Sequence, residues 1–376
     1  MKVLIDPEIF FYGRCGMVRY YSRLIKELKN EGLTIDIPLL LSESDFINGS
    51  LQPLQWFRKI PGGRYITNRL NTLSKKIYYR KIQKGNYDIL FINSPVFEDR
   101  FLDYMPAHKP FAMVVHDTMR CVLGPDGLFD PSGSNADKLA YLTHRASGVI
   151  SISHTTCKDL ADLTGLSETD ITTIHTGNLL NTELETSNNL SLPSQYLLFV
   201  GDRTGRKNFK LFISAITDIL QAQLELHVVC TGPCNKWEYD MLCKLQVADK
   251  VQFIEANDQV LVSLYKNAKA LIYPSIYEGY GLPVLEAMSL GCPVITSRLS
   301  SIPEVGKDAV IYIDPYQKIS IATAVNQVLH AEKSWLSDLT DKAMQIAMQQ
   351  TPQKMASLFK TAFETVVQNS YKKSKA

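Results

Sequence analysis

Short, uninterrupted apolar runs recur along this chain, each followed by a segment with helical spacing, and this alternation restricts the fold more than any other feature. Tyr87–Asn93 (YDILFIN) and Phe111–His116 (FAMVVH) carry no alternating polar face, so strands there must be covered on both sides. Lys2–Asp6, Gly148–Ser153 and Ile171–His175 are further strand candidates, and Met17–Asn30 brings Leu24, Ile25 and Leu28 onto one helical face. Doubly covered strands that alternate with helices form parallel α/β sheets. At Asn178–Ser194 (NLLNTELETSNNLSLPS) the pattern gives way to a polar, turn-rich linker. It then resumes, with strands at Tyr196–Val200, Leu224–Cys230, Val251–Ile254, Ala270–Tyr273 and Cys292–Thr296, and helices from about Asn208 and Gly281. The expected organisation is an α/β unit over 1–185, a second over 186–351, and a helical stretch, Pro352–Asn369, within a C-terminal segment 352–376. A chain of 376 residues, 45% apolar, suffices for two such cores. Ligands of open parallel sheets bind beyond the carboxyl ends of the strands, so the loops that follow strands are where chemistry is expected, at a cleft between the units.

Composition excludes several classes of function. The formal charge is +2, which gives no global pull toward nucleic acid. No apolar run reaches the ~18 residues of a membrane span. The first residues, MKVLIDPEIFF, are broken by Asp6, Pro7 and Glu8 and read as a strand rather than a signal peptide. Seven irregularly spaced cysteines fit a reducing, cytoplasmic compartment. Cys230, Cys234 and Cys243 lack a fourth zinc ligand, so Cys230 is expected to close a buried strand and the other two to face a core.

Three strand-to-helix turns carry the chemistry. In Tyr273–Pro293 (YPSIYEGYGLPVLEAMSLGCP), Gly279 and Gly281 let a ligand approach the backbone, and the helix start offers unpaired N–H groups to an anion. Glu278 precedes that helix and Glu286 lies inside it, so both carboxylates can accept from paired sugar hydroxyls; a helix cap and a solvated side chain are the plainer alternative. In Phe199–Phe209 (FVGDRTGRKNF), a glycine turn brings Arg203, Arg206 and Lys207 together, cations suited to a diphosphate or simply to a solvated loop. Tyr12–Tyr20 (YGRCGMVRY) follows the first strand but lacks the G-x-G-x-x-G of a dinucleotide fold. His116–Asp117 ends the strand FAMVVH, where a lone histidine is more often structural.

The combination of GxxRKN after a strand, EGYGLPVLEAMSLGCPVITS and SSIPEVGKDAVIYIDP resembles the retaining glycosyltransferases of the GT-B fold, family 4 (group 1), and is mannosyltransferase-like in the RKN form of its basic turn. The resemblance is specific over about 196–315 and extends to the Gly16 loop and the VVHD segment. It implies two Rossmann-like domains facing an interdomain cleft, an N-terminal acceptor domain and a C-terminal nucleotide-sugar domain, with the last helix packing back on the first. Glu278 and Glu286 match the family's E-x7-E pair, the first at the transferred sugar and the second at the ribose. Lys207 matches one half of the basic pair at the donor diphosphate. Arg203 is the expected other half and Arg206 the alternative. Gly279, Gly281 and Leu282 would meet the phosphate or sugar through the backbone. Gly16 would lie beneath the diphosphate, with Cys15 where the family often has another glycine. His116 would contact the sugar, and Phe253, Ile254 and Glu255 the base.

The resemblance implies a nucleotide-diphosphate sugar as co-substrate, GDP-mannose first, with UDP-sugars and GDP-deoxysugars as alternatives, and a glycan or lipid-linked glycan acceptor of the polysaccharide or lipopolysaccharide kind. No cofactor or metal is expected, because Arg203, Lys207 and the helix start can meet the charge that develops on the leaving diphosphate. A GT-B nucleotide-sugar epimerase and a non-catalytic binding subunit are the competing readings. Finally, 51–86 holds nine cations and no acid, leaving the remainder of the chain at −7 (31 basic against 38 acidic residues). Trp56, Phe57, Tyr65, Tyr78 and Tyr79 are interleaved, and Ile66, Leu70, Leu73 and Ile77 share a helical face. This basic amphipathic segment is expected to bring the protein to an anionic surface, peripherally at the inner face of the cytoplasmic membrane, unless those apolar residues pack on the domain.

Overall fold

The computed structural model describes residues 1–12, 15–42, 54–55, 63–93, 98–122, 134–186, 190–203 and 205–373. The chain forms two units, Met1–Leu179 with Pro352–Ala376, and Leu180–Thr351. The division falls at the front of the polar run, because Leu179 and Leu180 are themselves still buried.

The strands of the first unit are β1 (Lys2–Ile5), β2 (Thr34–Asp36), β3 (Leu41–Ser42), β4 (Leu54–Gln55), β5 (Ile89–Ile92), β6 (Phe111–Val115), β7 (Gly148–Ser151) and β8 (Ile171–Thr173). Six of them form a parallel sheet in the order β2-β1-β5-β6-β7-β8, and β3 and β4 pair separately. All four residues of β5 and all five of β6 are buried, as their unbroken apolar runs require. One face packs Leu4, Leu90, Ile92 and Met113 against Tyr78, Leu139 and Leu160. On the other face the helices Gly16–Asn30 and Pro352–Lys373 lie side by side. The Phe91 ring sits 5.0 Å from Phe363 and 5.8 Å from Phe359. The terminal helix approaches so closely that a Cβ at Gly148 would stand 2.5 Å from Val366, so β7 must begin with glycine.

The second unit contains β9 (Gln195–Phe199), β10 (Leu226–Thr231), β11 (Val251–Ile254), β12 (Ala270–Tyr273), β13 (Val294–Ser297) and β14 (Ile311–Ile313). Their order, β11-β10-β9-β12-β13-β14, is the doubly wound Rossmann arrangement, all parallel. The order reverses between β9 and β12, and at such a point the loops leave toward opposite faces and open a crevice. Phe199, Phe209 and Phe212 anchor its core with Ile213, Ile216 and Val228.

Two expectations need correction here. Cys230 closes β10 fully buried, and burial raises its thiol pKa, but Cys234 and Cys243 are exposed rather than core-facing. The basic segment forms the helix Gly63–Lys84, yet not all of its cations are free of the fold. Lys75 Nζ bonds Asp6, Glu8 (2.8 Å) and Glu98 (3.3 Å), and Lys81 bonds Asp36 at 2.6 Å. The buried side of this helix carries Thr67, Ser74, Tyr78 and Ile82, so Ile66 and Leu73 stay 38% and 44% exposed. Trp56, Phe57, Arg58 and Lys59 lie outside the described residues. Among the described residues no helix is long and apolar enough to cross a membrane.

Candidate functional site

The turns after β9 and β12 flank the switch point, and their side chains converge. Lys207, 7% exposed, donates to Glu278 Oε1 and to the Tyr273 hydroxyl, both at 2.7 Å. Arg206 Nη1 donates to the same Glu278 oxygen at 2.8 Å and to the Tyr277 carbonyl at 3.1 Å. The two turns are also stitched through the backbone, Ile276 N donating to Arg206 O at 2.8 Å. Burial alone would raise the Glu278 carboxyl; Lys207, then Arg206, outweigh it and hold the pKa below its ordinary value. Glu278 is therefore an anion between two cations, in a buried site where charges are poorly screened.

The sequence reading did not single out what fixes Glu278. The Ser300 and Ser301 hydroxyls donate to its carbonyl at 2.6 and 2.8 Å, and its N–H donates to Ser300 Oγ at 3.2 Å. Ser297 Oγ donates to the Ser275 carbonyl. The serines of TSRLSSIPE, at the end of β13 and just beyond it, thus strap the loop after β12. Four hydroxylic residues in nine, at the end of a strand and just past it, were the available signal.

The following helix is Leu282–Ser289, with Gly281 at its N-cap. Gly281 has φ 109°, a conformation open to glycine and strained for other residues. No side chain caps this helix; Pro283 has no N–H, and the Val284 and Leu285 N–H groups donate to the Gly281 carbonyl at 3.0 and 3.3 Å, beside the half-buried Leu282. Glu286 is buried one and a half turns in, and Tyr265 donates its hydroxyl to Oε2 at 2.9 Å. Ile254 ends β11 half-buried, and Glu255 just beyond it is exposed.

Arg203 does not join the cluster. Its Nε donates to Glu238 at 2.8 Å, and its Nη1 and Nη2 donate to the Thr231 and Pro233 carbonyls. Its guanidinium lies over the Phe253 ring, 5.1 Å from the centroid. The expectation that Arg203 accompanies Lys207 is therefore revised, and Arg206 stands in that place. The reason is local: β10 ends beside β9, and its terminal carbonyls capture the nearer arginine.

His116 and Gly16 belong to the first unit. His116 accepts from or donates to the Tyr21 hydroxyl at 2.7 Å and meets the rings of Tyr20 and Tyr21 edge-on. Burial lowers its pKa to about 4, so the ring is neutral at physiological pH. Gly16 opens the helix Gly16–Asn30, whose N-cap Cys15 gives no side-chain bond, and a Cβ on Gly16 would meet nothing within 4 Å.

Two Rossmann-like units, one presenting two cations and a carboxylate at its switch point beside a helix start with glycine at its N-cap, define an α/β protein of the GT-B fold. Residues 181–345 match the family described as glycosyl transferases group 1, and 15–178 match glycosyltransferase family 4. The chain belongs to this group 1/family 4 glycosyltransferase family. It is 33% identical over 160 residues to O-antigen chain mannosyltransferase B of Escherichia coli, 41% of this chain and 42% of that one. An uncharacterized glycosyltransferase of Methanocaldococcus jannaschii is 29% identical over 238 residues, 58% and 60%. O-antigen chain mannosyltransferase RfbU of Salmonella typhimurium is 33% identical over 139 residues, 35% and 38%. The chain thus spans about half the length of the curated relatives it matches. Among solved structures, sucrose-phosphate synthase of Thermosynechococcus elongatus superposes with TM-score 0.74 at 16% identity, covering 97% of this chain and 99% of that one. Anabaena HepE in complex with UDP and glucose gives 0.68 at 14%, covering 97% and 100%. At these identities the structures establish the fold.

Proposed function

We propose that the protein is a retaining hexosyltransferase that moves mannose from GDP-mannose to a glycan or lipid-linked glycan. The Lys207–Arg206–Glu278 cluster carries this reading, and the mannosyltransferases among the relatives support the choice of sugar. A donor diphosphate brings negative charge to Lys207, Arg206 and the backbone at Gly281 and Leu282, and that charge grows as the bond from C1 to the β-phosphate oxygen breaks. Glu278 lies where the departing sugar leaves positive character, and Glu286 accepts from the ribose. Neutral His116 offers an uncharged hydrogen bond to the sugar. The acceptor hydroxyl attacks C1 from the face the diphosphate vacates, its proton passing to the leaving phosphate oxygen, and the configuration is retained.

A thermal-shift panel of nucleotide sugars tests the donor: at 100 times its Kd the right one stabilises the protein by about 2.7 kcal/mol. Release of free hexose without acceptor separates an enzyme from a binding subunit, and retained stereochemistry at C2 separates it from a 2-epimerase. UDP-glucose or a GDP-deoxysugar giving the largest shift would replace mannose. Because Lys207, Arg206 and the helix start supply the positive charge, transfer is expected to survive excess EDTA. Loss of activity that Mg²⁺ or Mn²⁺ restores would overturn the metal-independent reading.

The acceptor is proposed to lie at the inner face of the cytoplasmic membrane. On the helix Gly63–Lys84, exposed Arg64, Arg69, Lys76 and Arg80 accompany exposed Tyr65, Ile66 and Leu73. Each basic residue near an anionic leaflet is worth about 1 kcal/mol. The protein is expected to pellet with anionic vesicles at low salt, and a variant with Arg64, Arg69, Lys76 and Arg80 changed to glutamine is expected to stay in the supernatant. Equal pelleting of the two would point to a soluble acceptor.

A further inference from the structure

At the carboxyl end of β5 the fold leaves a polar group unmet. Asn93 is 1% exposed, and among the described residues neither its Oδ1 nor its Nδ2 makes a hydrogen bond. A primary amide that has given up water without gaining a partner is costly, and native interiors hold few of them. Its place in the fold is also particular. The strand order of the first unit reverses between β1 and β5, so Asn93 stands at that unit's switch point, where parallel sheets bind ligands.

Its neighbours follow from strand geometry. Alternation puts Asn93 on the same face as Phe91, whose ring is 6.1 Å from that of Tyr21. The register pairs Ile92 with Met113, so Asn93 falls beside Val114, with His116 two residues further on the same face. Tyr21 lies against His116 as well, its ring 5.3 Å away and its hydroxyl 2.7 Å from Nε2. The amide, the phenol and the neutral imidazole are thus gathered at one end of one sheet face, and none carries charge at neutral pH. An uncharged amide, with two donors and two lone pairs, matches vicinal hydroxyls, each of which both donates and accepts.

We infer that Asn93 is a substrate-contact residue whose amide hydrogen-bonds sugar hydroxyls at the carboxyl end of β5, beside His116. The inference rests on the transferase reading above. Two sugars offer this chemistry, the hexose of the donor and the terminal residue of the acceptor glycan.

Asn93→Leu keeps the branching and heavy-atom count of asparagine while removing both polar atoms, and the smaller Asn93→Ala serves as the second variant should the bulkier leucine not fit. With no partner lost inside the fold, the leucine variant is expected to melt at or above the wild-type temperature and to bind GDP as wild type does. If the amide reads the donor, release of free hexose from GDP-mannose without acceptor falls at least tenfold. If it reads the acceptor, that release is unchanged and transfer to glycan falls at least tenfold. Wild-type rates of both reactions in the variants that fold would overturn the assignment. Leucine and alanine variants that both fold and both melt far below wild type would do so too, since the amide would then have partners in the fold. A wild-type protein that neither hydrolyses nor transfers any nucleotide sugar would instead overturn the transferase reading itself, a distinguishable failure.

Discussion

Lys207→Ala is expected to lower transfer by about 10²–10³-fold with the fold retained, because one preorganised charge donor at a developing anion is worth that much. The ammonium is buried, and its two hydrogen bonds already hold it at the switch point, so no reorganisation is needed when charge appears on the leaving phosphate. The loss should fall mainly on kcat, since the leaving group's charge is greater in the transition state than in the bound donor. Arg206→Ala is expected to act in the same direction and less, its side chain being more exposed and accordingly better screened. In Lys207→Ala the Glu278 carboxylate keeps Arg206 as a partner, and its pKa rises because the larger of the two lowering charges is gone. Melting curves alongside kcat and KM for both variants decide the matter. Near-normal kcat in each would remove the diphosphate from this cluster.

How Lys207 and Glu278 come together was partly legible in the sequence. Both turns were visible as glycine-bearing segments after apolar strands, and their residue types pointed to phosphate and sugar. That they meet depends on strand order: β9 and β12 are neighbours although two strands separate them in sequence. Residue patterns report burial and period, and pairing between distant strands is a tertiary choice. The central strands were read within a residue or two, since runs buried on both faces leave no ambiguity of period. The edge strands Thr34–Asp36 and Ile311–Ile313 escaped the pattern, being three residues long and only partly buried. The helix Gly63–Lys84 was foreseen, but its buried side was not. Ser74 and Tyr78 face inward on it while Ile66 faces out, because Lys75 is drawn to Asp6, Glu8 and Glu98 and fixes the rotation. The apolar residues Ile66 and Leu73 stay exposed, and their spacing alone does not show that Ser74 and Tyr78 form the buried side.

The choice between two arginines three residues apart was not legible either, and it yields the other large expected effect. Arg203→Ala is expected to be a stability variant. Arg203 is 6% exposed and Glu238 is 0% exposed. Taking away one partner of such a pair leaves a buried charge uncompensated, at a cost of about 3–5 kcal/mol. The Thr231 and Pro233 carbonyls lose their donors at the same time, and Phe253 loses the cation above its ring. In a unit of this size each kcal/mol corresponds to about 2–4 °C, so the melting temperature is expected to drop by roughly 6–20 °C. Well below that transition, kcat should stay near wild type, because no nitrogen of Arg203 bonds to Glu278, Lys207 or Arg206. The penalty lies in the buried carboxylate, which keeps the Asn235 N–H at 2.8 Å but loses its counter-charge, rather than in any special worth of the pair. Replacing both partners, as in Arg203→Met with Glu238→Gln, which leaves an uncharged acceptor for the Asn235 N–H, should therefore recover part of the lost stability, which a purely additive pair of losses would not. A wild-type melting temperature for Arg203→Ala, together with a hundredfold fall in kcat, would return Arg203 to the donor phosphates.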